Sequence, residues 1–183
     1  MRSTLVAAAA LSLLTVGLVP GPVRADDAGS TPNDASGSPS DFADGECVSV
    51  RDPIVTTFFV DGCMSPFGLC TEGIIPSGPL AGTTQFSVLS LAPGDLPELL
   101  DYTGVLVITA ADGSGTLTIQ DYGVLNQLDG SFFEIEQAVD GSGSLANHAG
   151  TLFAQGTSTA TGFEGTLSGL ICSLSRDNHD HDN

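Results

Sequence analysis

The chain has no lysine, and four arginines stand against 22 aspartates and glutamates, for a formal net charge of −18 over 183 residues. Binding to nucleic acid or to anionic lipid needs cations that displace counterions, so this balance argues against both as partners. Helical periodicity is nearly absent too. The stretch 93–100 could form one turn at most, and short apolar or alternating runs dominate instead. Beyond the first 25 residues no apolar run reaches the roughly 20 residues that a membrane-spanning helix requires, so no membrane anchor is expected.

Chemical motifs are equally scarce. No Gly-x-Ser-x-Gly elbow occurs, and His148, in the turn Asn147-His148-Ala149-Gly150, is the only histidine inside the expected folded unit. A serine hydrolase is therefore not expected, and His148 reads as an exposed turn residue. Gly141-Ser142-Gly143 is followed by no strand-to-helix transition, which excludes a dinucleotide fingerprint. The Asp-Gly-Ser-Gly turns lack the spaced acids of a calcium loop. Residues 177–182 carry alternating aspartates and histidines, suited to weak adventitious metal binding and not to a shaped site. No cofactor and no specific metal site are implied.

What is present begins with a leader. Arg2 precedes an apolar run from Leu5 to Val19, and small residues Val23 and Ala25 follow at the positions a signal peptidase reads. The expectation is a signal peptide over 1–25 and a protein secreted to the extracellular space. The remainder carries two arginines, Arg51 and Arg176, against all 22 acids, hence a charge near −20. Residues 26–45, rich in Pro, Gly, Ser and Asp, read as a disordered acidic linker, and 176–183 as a disordered tail. One domain is expected over 46–175.

Four cysteines, Cys47, Cys63, Cys70 and Cys172, are an even number entering an oxidising compartment, which favours two disulfides. Three pairings are open on paper. The favoured one joins Cys63 to Cys70 across a short loop and Cys47 to Cys172 across almost the whole domain. Zinc is the alternative, but the gap between Cys63 and Cys70 fits no common zinc spacing.

Eight strands are expected, at 54–60, 70–75, 80–91, 102–110, 115–121, 131–138, 149–158 and 163–174, rich in Thr, Val, Ile and Phe. Asp61-Gly62, Asp112-Gly113, Asp129-Gly130 and Asp140-Gly141 are hairpin signals, because glycine supplies the positive φ that tight antiparallel turns demand. The connections are too short for crossover helices. The pattern implies an all-β protein, an eight-stranded antiparallel up-and-down barrel.

Alternation then assigns faces. Asp121 is in phase with Leu117 and Ile119, which makes it a candidate interior acid or base; the plainer reading ends the strand there, at the water-facing rim. Glu72, between Cys70 and Ile74 on one face, is a second candidate ligand contact, and Tyr102 and Tyr122 could place phenols at a barrel mouth. Phe133 and Ile135 share one face, so Glu134 and Glu136 are expected to face water. Gly165 and Gly169 interrupt the face of Phe163, Leu167 and Ile171, where a strand could bend or pass an inner side chain.

Several segments together resemble the bacterial secreted proteins grouped with the allene oxide cyclase-like barrel, relatives of plant allene oxide cyclases and dirigent proteins. They are Cys63-Met64-Ser65-Pro66-Phe67-Gly68-Leu69-Cys70, Gly78-Pro79-Leu80-Ala81-Gly82-Thr83, Tyr102-Thr103-Gly104-Val105-Leu106-Val107-Ile108-Thr109, Gly141-Ser142-Gly143-Ser144-Leu145 and Phe163-Glu164-Gly165-Thr166-Leu167-Ser168-Gly169. That group usually has Phe at the place of Leu145 and Gly at the place of Asn147. The resemblance implies a barrel and transfers no catalytic residue; relatives form dimers or trimers, which leaves a homo-oligomer open here, with no interface signal in the sequence. Three functions follow as expectations: binding of a small hydrophobic molecule in the barrel interior or mouth, a cyclase or isomerase acting in the same cavity, and a structural or surface-interaction protein with a filled barrel.

Overall fold

The computed structural model describes residues 45–174. The expected leader, the tail and, apart from Gly45, the linker lie outside the described residues. Eight strands form: β1 (Cys47–Phe59), β2 (Cys70–Ile75), β3 (Gly82–Pro93), β4 (Leu99–Ala110), β5 (Gly115–Asn126), β6 (Ser131–Gly143), β7 (His148–Ser158) and β8 (Gly162–Ser173). Each pairs antiparallel with the next, and β8 returns to β1, closing the barrel. No helix occurs among the described residues.

β1 begins well before the alternating run that marks it in the sequence, and it tolerates Pro53 in its middle. β2 reaches only to Val55 along β1, so Pro53 lies where β1 has β8 as its one partner strand. A missing N–H is cheap at such a position.

Three of the four Asp-Gly pairs make turns, with Gly62, Gly113 and Gly130 at positive φ. Asp112 and Asp129 reinforce theirs by accepting hydrogen bonds at Oδ1 from the backbone N–H of Ser114 (2.8 Å) and Ser131 (2.9 Å). The fourth pair, Asp140-Gly141, is a correction: it lies within β6, opposite Thr118 and Leu117 of β5. An irregularity at Val139 shifts the register there, so β6 continues and the turn falls at 144–147. Asn147 adopts φ 59° at the end of that turn, a conformation asparagine tolerates better than most residues and glycine best of all.

The interior is asymmetric along its length. At one end Val50, Ile75, Ile108, Leu117, Leu152 and Ile171 pack with Leu80 of the β2–β3 loop and Leu145 of the β6–β7 loop, all at most 1% exposed. Those two loop leucines plug that end. Toward the other end, where loops 60–69, 94–98, 127–130 and 159–161 gather, the packing loosens.

Both disulfides form as favoured. Cys47 and Cys172 are directly opposite in the β1–β8 register, and Cys63 ties its loop to the first residue of β2. They are consistent with an oxidising environment. Their sequence separations are 125 and 7, so the chain-entropy model gives about 5 kcal/mol for the first and about 2.5 kcal/mol for the second. Urea unfolding of Cys47→Ala/Cys172→Ala should accordingly show a larger drop in midpoint than Cys63→Ala/Cys70→Ala; the reverse order would mean that seam closure survives without its bond.

Candidate functional site

A cavity of about 120 Å³ occupies the loosely packed half of the barrel. Its walls are mostly apolar, with Ile54, Val88, Leu106, Phe132 and Phe163 among them. The titratable exceptions lie on three neighbouring strands, Tyr102 on β4, Asp121 on β5, and Glu134 and Glu136 on β6, while Thr56 on β1 and Thr71 on β2 add two hydroxyls.

Register explains the cluster. Tyr102 pairs with Gly123, and Gly123 pairs with Glu134, so the three form one row across β4, β5 and β6. In the next row Gly104 pairs with Asp121 and Asp121 with Glu136. Gly123 has no side chain to fill the gap between Tyr102 and Glu134. A Cβ there would overlap the Tyr102 ring and hydroxyl. The phenol therefore lies across β5 and donates to Oε1 of Glu134 at 2.5 Å.

Carboxylate oxygens of Asp121, Glu134 and Glu136 all lie within 4.8 Å of one another. Asp121 and Glu136 are each 1% exposed, and Oδ1 of Asp121 and Oε2 of Glu136 have no hydrogen-bond partner. No lysine, arginine or histidine lines the cavity. Arg51, the one lysine or arginine among the described residues, is exposed on β1.

Such a group keeps its protons. Burial, then the charges of Glu134 and Glu136, push Asp121 far above the carboxylate range, and it donates to Glu134. Burial also raises Glu134, opposed by the hydrogen bonds from Tyr102 and Asp121. Glu136 is pushed up to about 8 by burial and then by the neighbouring Glu134. Tyr102 is raised as well, by burial first and then by Glu134, so it stays a hydrogen-bond donor. At neutral pH Glu134 is thus the carboxylate best able to hold a negative charge.

The sequence-derived candidates separate. Asp121 and Tyr102 line the cavity, but Asp121 does so from mid-strand, not from the strand end and watery rim of the plainer reading. Glu72 does not line it: it is exposed on the outer face of β2, whose inner face carries Thr71 and Ile75. Cys70, in phase with Glu72, is nonetheless buried, bonded to Cys63 and with its sulfur 3.4 Å from the Ser87 hydroxyl. Tyr122 is exposed on the outside. His148, read as an exposed turn residue, is 8% exposed at the start of β7, with Nδ1 3.0 Å from the carbonyl oxygen of Ala146.

The assignment of Glu134 and Glu136 to water is also overturned. Phe133 and Ile135, each 45% exposed, face outward, and the two glutamates face inward in phase with Phe132 and Ala138. That phase, together with an inward Asp121 on the neighbouring strand, is the signal that could have found them.

Comparison of the chain with protein-family models, curated proteins and solved structures yields no match.

A carboxyl protonated in the fold and ionised in the unfolded chain makes the native state bind the extra proton, so stability falls as pH rises through the raised value. For Glu136 that window runs from 4.5 to about 8, and Asp52, buried on β1 and likewise raised, contributes with the same sign. Urea midpoints should fall across this range, and Glu136→Gln should flatten the slope by up to about 1.4 kcal/mol per pH unit. A wild-type midpoint that rises or stays level from pH 5 to pH 8 would contradict the protonated cluster. Tyr102→Phe removes a hydrogen bond that lowers Glu134, so carboxyl-carbon NMR should find Glu134 titrating higher in the variant than in the wild type.

Proposed function

We propose that this is an exported protein that holds a small, mainly apolar molecule in the loosely packed half of its barrel. The observation that carries the reading is the apolar-walled cavity of about 120 Å³. An apolar cavity of about 150 Å³ is known to admit benzene, so the space suits a compact ring or one end of a longer molecule. Export is supported by the charged, apolar, then small-residue order of the leader and by the two disulfides. The likeness to the allene oxide cyclase-like group favours the same use of a barrel interior, and the loops it includes carry Leu80 and Leu145, which stop the barrel from being open at both ends.

A second reading, a cyclase or isomerase, is favoured by one feature, Asp121 and Glu134 hydrogen-bonded beside the cavity. A neutral carboxylic acid next to a carboxylate can give one proton and take another. Binding is the more economical proposal because it needs only the cavity. A solidly filled barrel is the weakest of the three expectations, since the free space lies in its centre.

Titrating benzene into protein with carbon-13-labelled methyl groups should shift the signals of Ile54, Val88 and Leu106 and leave those of the plugged end, such as Ile171, in place. Val88→Phe should fill the space and abolish the shifts. Absence of any saturable shift in the wild type would remove the proposal.

A further inference from the structure

We propose that the cavity takes a small apolar molecule bearing a primary ammonium group, whose three N–H bonds point to Asp121, Glu134 and Glu136. This rests on the reading of the barrel interior as a ligand chamber, and it names the chemistry of the ligand.

Three observations carry it. The carboxylate oxygens of the three acids lie within 4.8 Å of one another, close enough to surround one small cation. Two of the three side chains, Asp121 and Glu136, are 1% exposed and line the cavity, and each has an oxygen with no hydrogen-bond partner. Buried oxygens without donors cost stability until something supplies them. No cationic side chain lines the cavity to do so, and the strands flanking the cluster bring no charge: Glu134 pairs with Ala154 and Glu136 with Leu152 on β7, and Gly104 faces Asp121 from β4.

An alkylammonium fits these acceptors group for group. It carries three donors and no acceptor, and three carboxyl groups supply the acceptors. The remainder of such a molecule would lie against Ile54, Leu106, Phe132 and Phe163, and the rings of Phe86 and Tyr102 near the polar end can face a cation. A bare calcium or magnesium ion is the rival occupant. Calcium takes six to eight oxygen ligands and magnesium keeps several waters. The walls offer three carboxyls, the Tyr102 phenol and the hydroxyls of Thr56 and Thr71; the phenol is engaged with Glu134 and the Thr56 hydroxyl with the Phe163 backbone, and the rest of the lining is largely apolar, which leaves little to hold the remaining waters.

Proton accounting follows from the same geometry. The titratable groups lining the cavity are Tyr102 on β4, Asp121 on β5, and Glu134 and Glu136 on β6; the lining residues of β1, β2, β3 and β8 include none. A cation entering a cluster that holds protons displaces some of them to solvent. Binding of the ammonium should therefore release protons, whereas binding of a neutral ring should not.

The test compares benzylamine, benzyl alcohol and toluene by calorimetry and NMR on the folded protein at neutral pH, in two buffers of different ionisation enthalpy and at low and high salt. Benzylamine should bind at least about tenfold more tightly than toluene, with proton release and with the preference retained at high salt. Glu136→Gln and Glu134→Gln should each erase most of that preference while toluene still binds, which also shows that the variant barrels are folded. Toluene bound as tightly as benzylamine would overturn the ammonium proposal and leave the ligand chamber standing. No binding of any probe would overturn the chamber itself. Benzylamine binding that both variants retain, or that salt abolishes, would assign the preference to the acidic exterior and overturn the proposal. Calcium or manganese that binds more tightly than benzylamine, and only when Glu136 is intact, would do the same by making the cluster a metal site.

Discussion

The seam between β1 and β8 is the constraint on which everything else in this barrel depends. The other strand pairs join neighbours in sequence through short connections, but this one brings Cys47 to Cys172 and Thr57 to Gly162. Until it closes, the meander has two open edges and no inside. Loop closure over such a distance costs chain entropy, and the Cys47–Cys172 bond reduces that cost in the unfolded state at the outermost pair of the seam. Inward residues of the two seam strands, Val50, Ile54, Leu167 and Ile171, then complete the core.

Closure creates an interior, and glycine placement decides how much of it stays free. Phe86 lies over Gly104, Tyr102 over Gly123, and Phe132 approaches Gly165. In each case a ring on one strand occupies the volume where a side chain on another strand would stand. Large rings are thereby laid along the wall and not driven into the centre. Edge-to-face contacts of Phe163 with Phe58 (5.4 Å between centroids) and with Phe132 (5.5 Å) hold the same arrangement on the opposite side. At the other end the branched side chains of Val, Ile and Leu meet in the middle, and no comparable space remains.

Much of this was legible in the sequence because it depends on local signals. Strand number, meander order, three of the Asp-Gly turns and the shared face of Phe163, Leu167 and Ile171 all follow from period-two runs and glycine. The misreadings share a different cause. Alternation separates a strand's residues into two faces but does not say which face is inward. In β6 the local evidence pointed the wrong way, since Phe133 and Ile135 are more apolar than Glu134 and Glu136. Only the register against β5, where Asp121 meets Glu136, settles the orientation, and register is a property of the pair of strands. Glu72 shares its face with the buried Cys70 but is itself exposed, so a buried neighbour in phase does not make a face inward.

The cluster that alternation hid is also where the fold gives up stability most visibly. Three acids and no internal cation would be costly to bury as charges, and an apolar residue at any of these positions would avoid that cost. Protons make the arrangement tolerable: Asp121 and Glu136 remain neutral, and the residual charge on Glu134 is met by the Tyr102 hydroxyl and by Asp121. That solution leaves Oδ1 of Asp121 and Oε2 of Glu136 without a protein hydrogen-bond partner beside an apolar-walled cavity. A structure optimised for packing alone would fill the space or remove the oxygens. Keeping both puts a polar end and an apolar end into one cavity, which is the pairing that the proposed ammonium ligand would use.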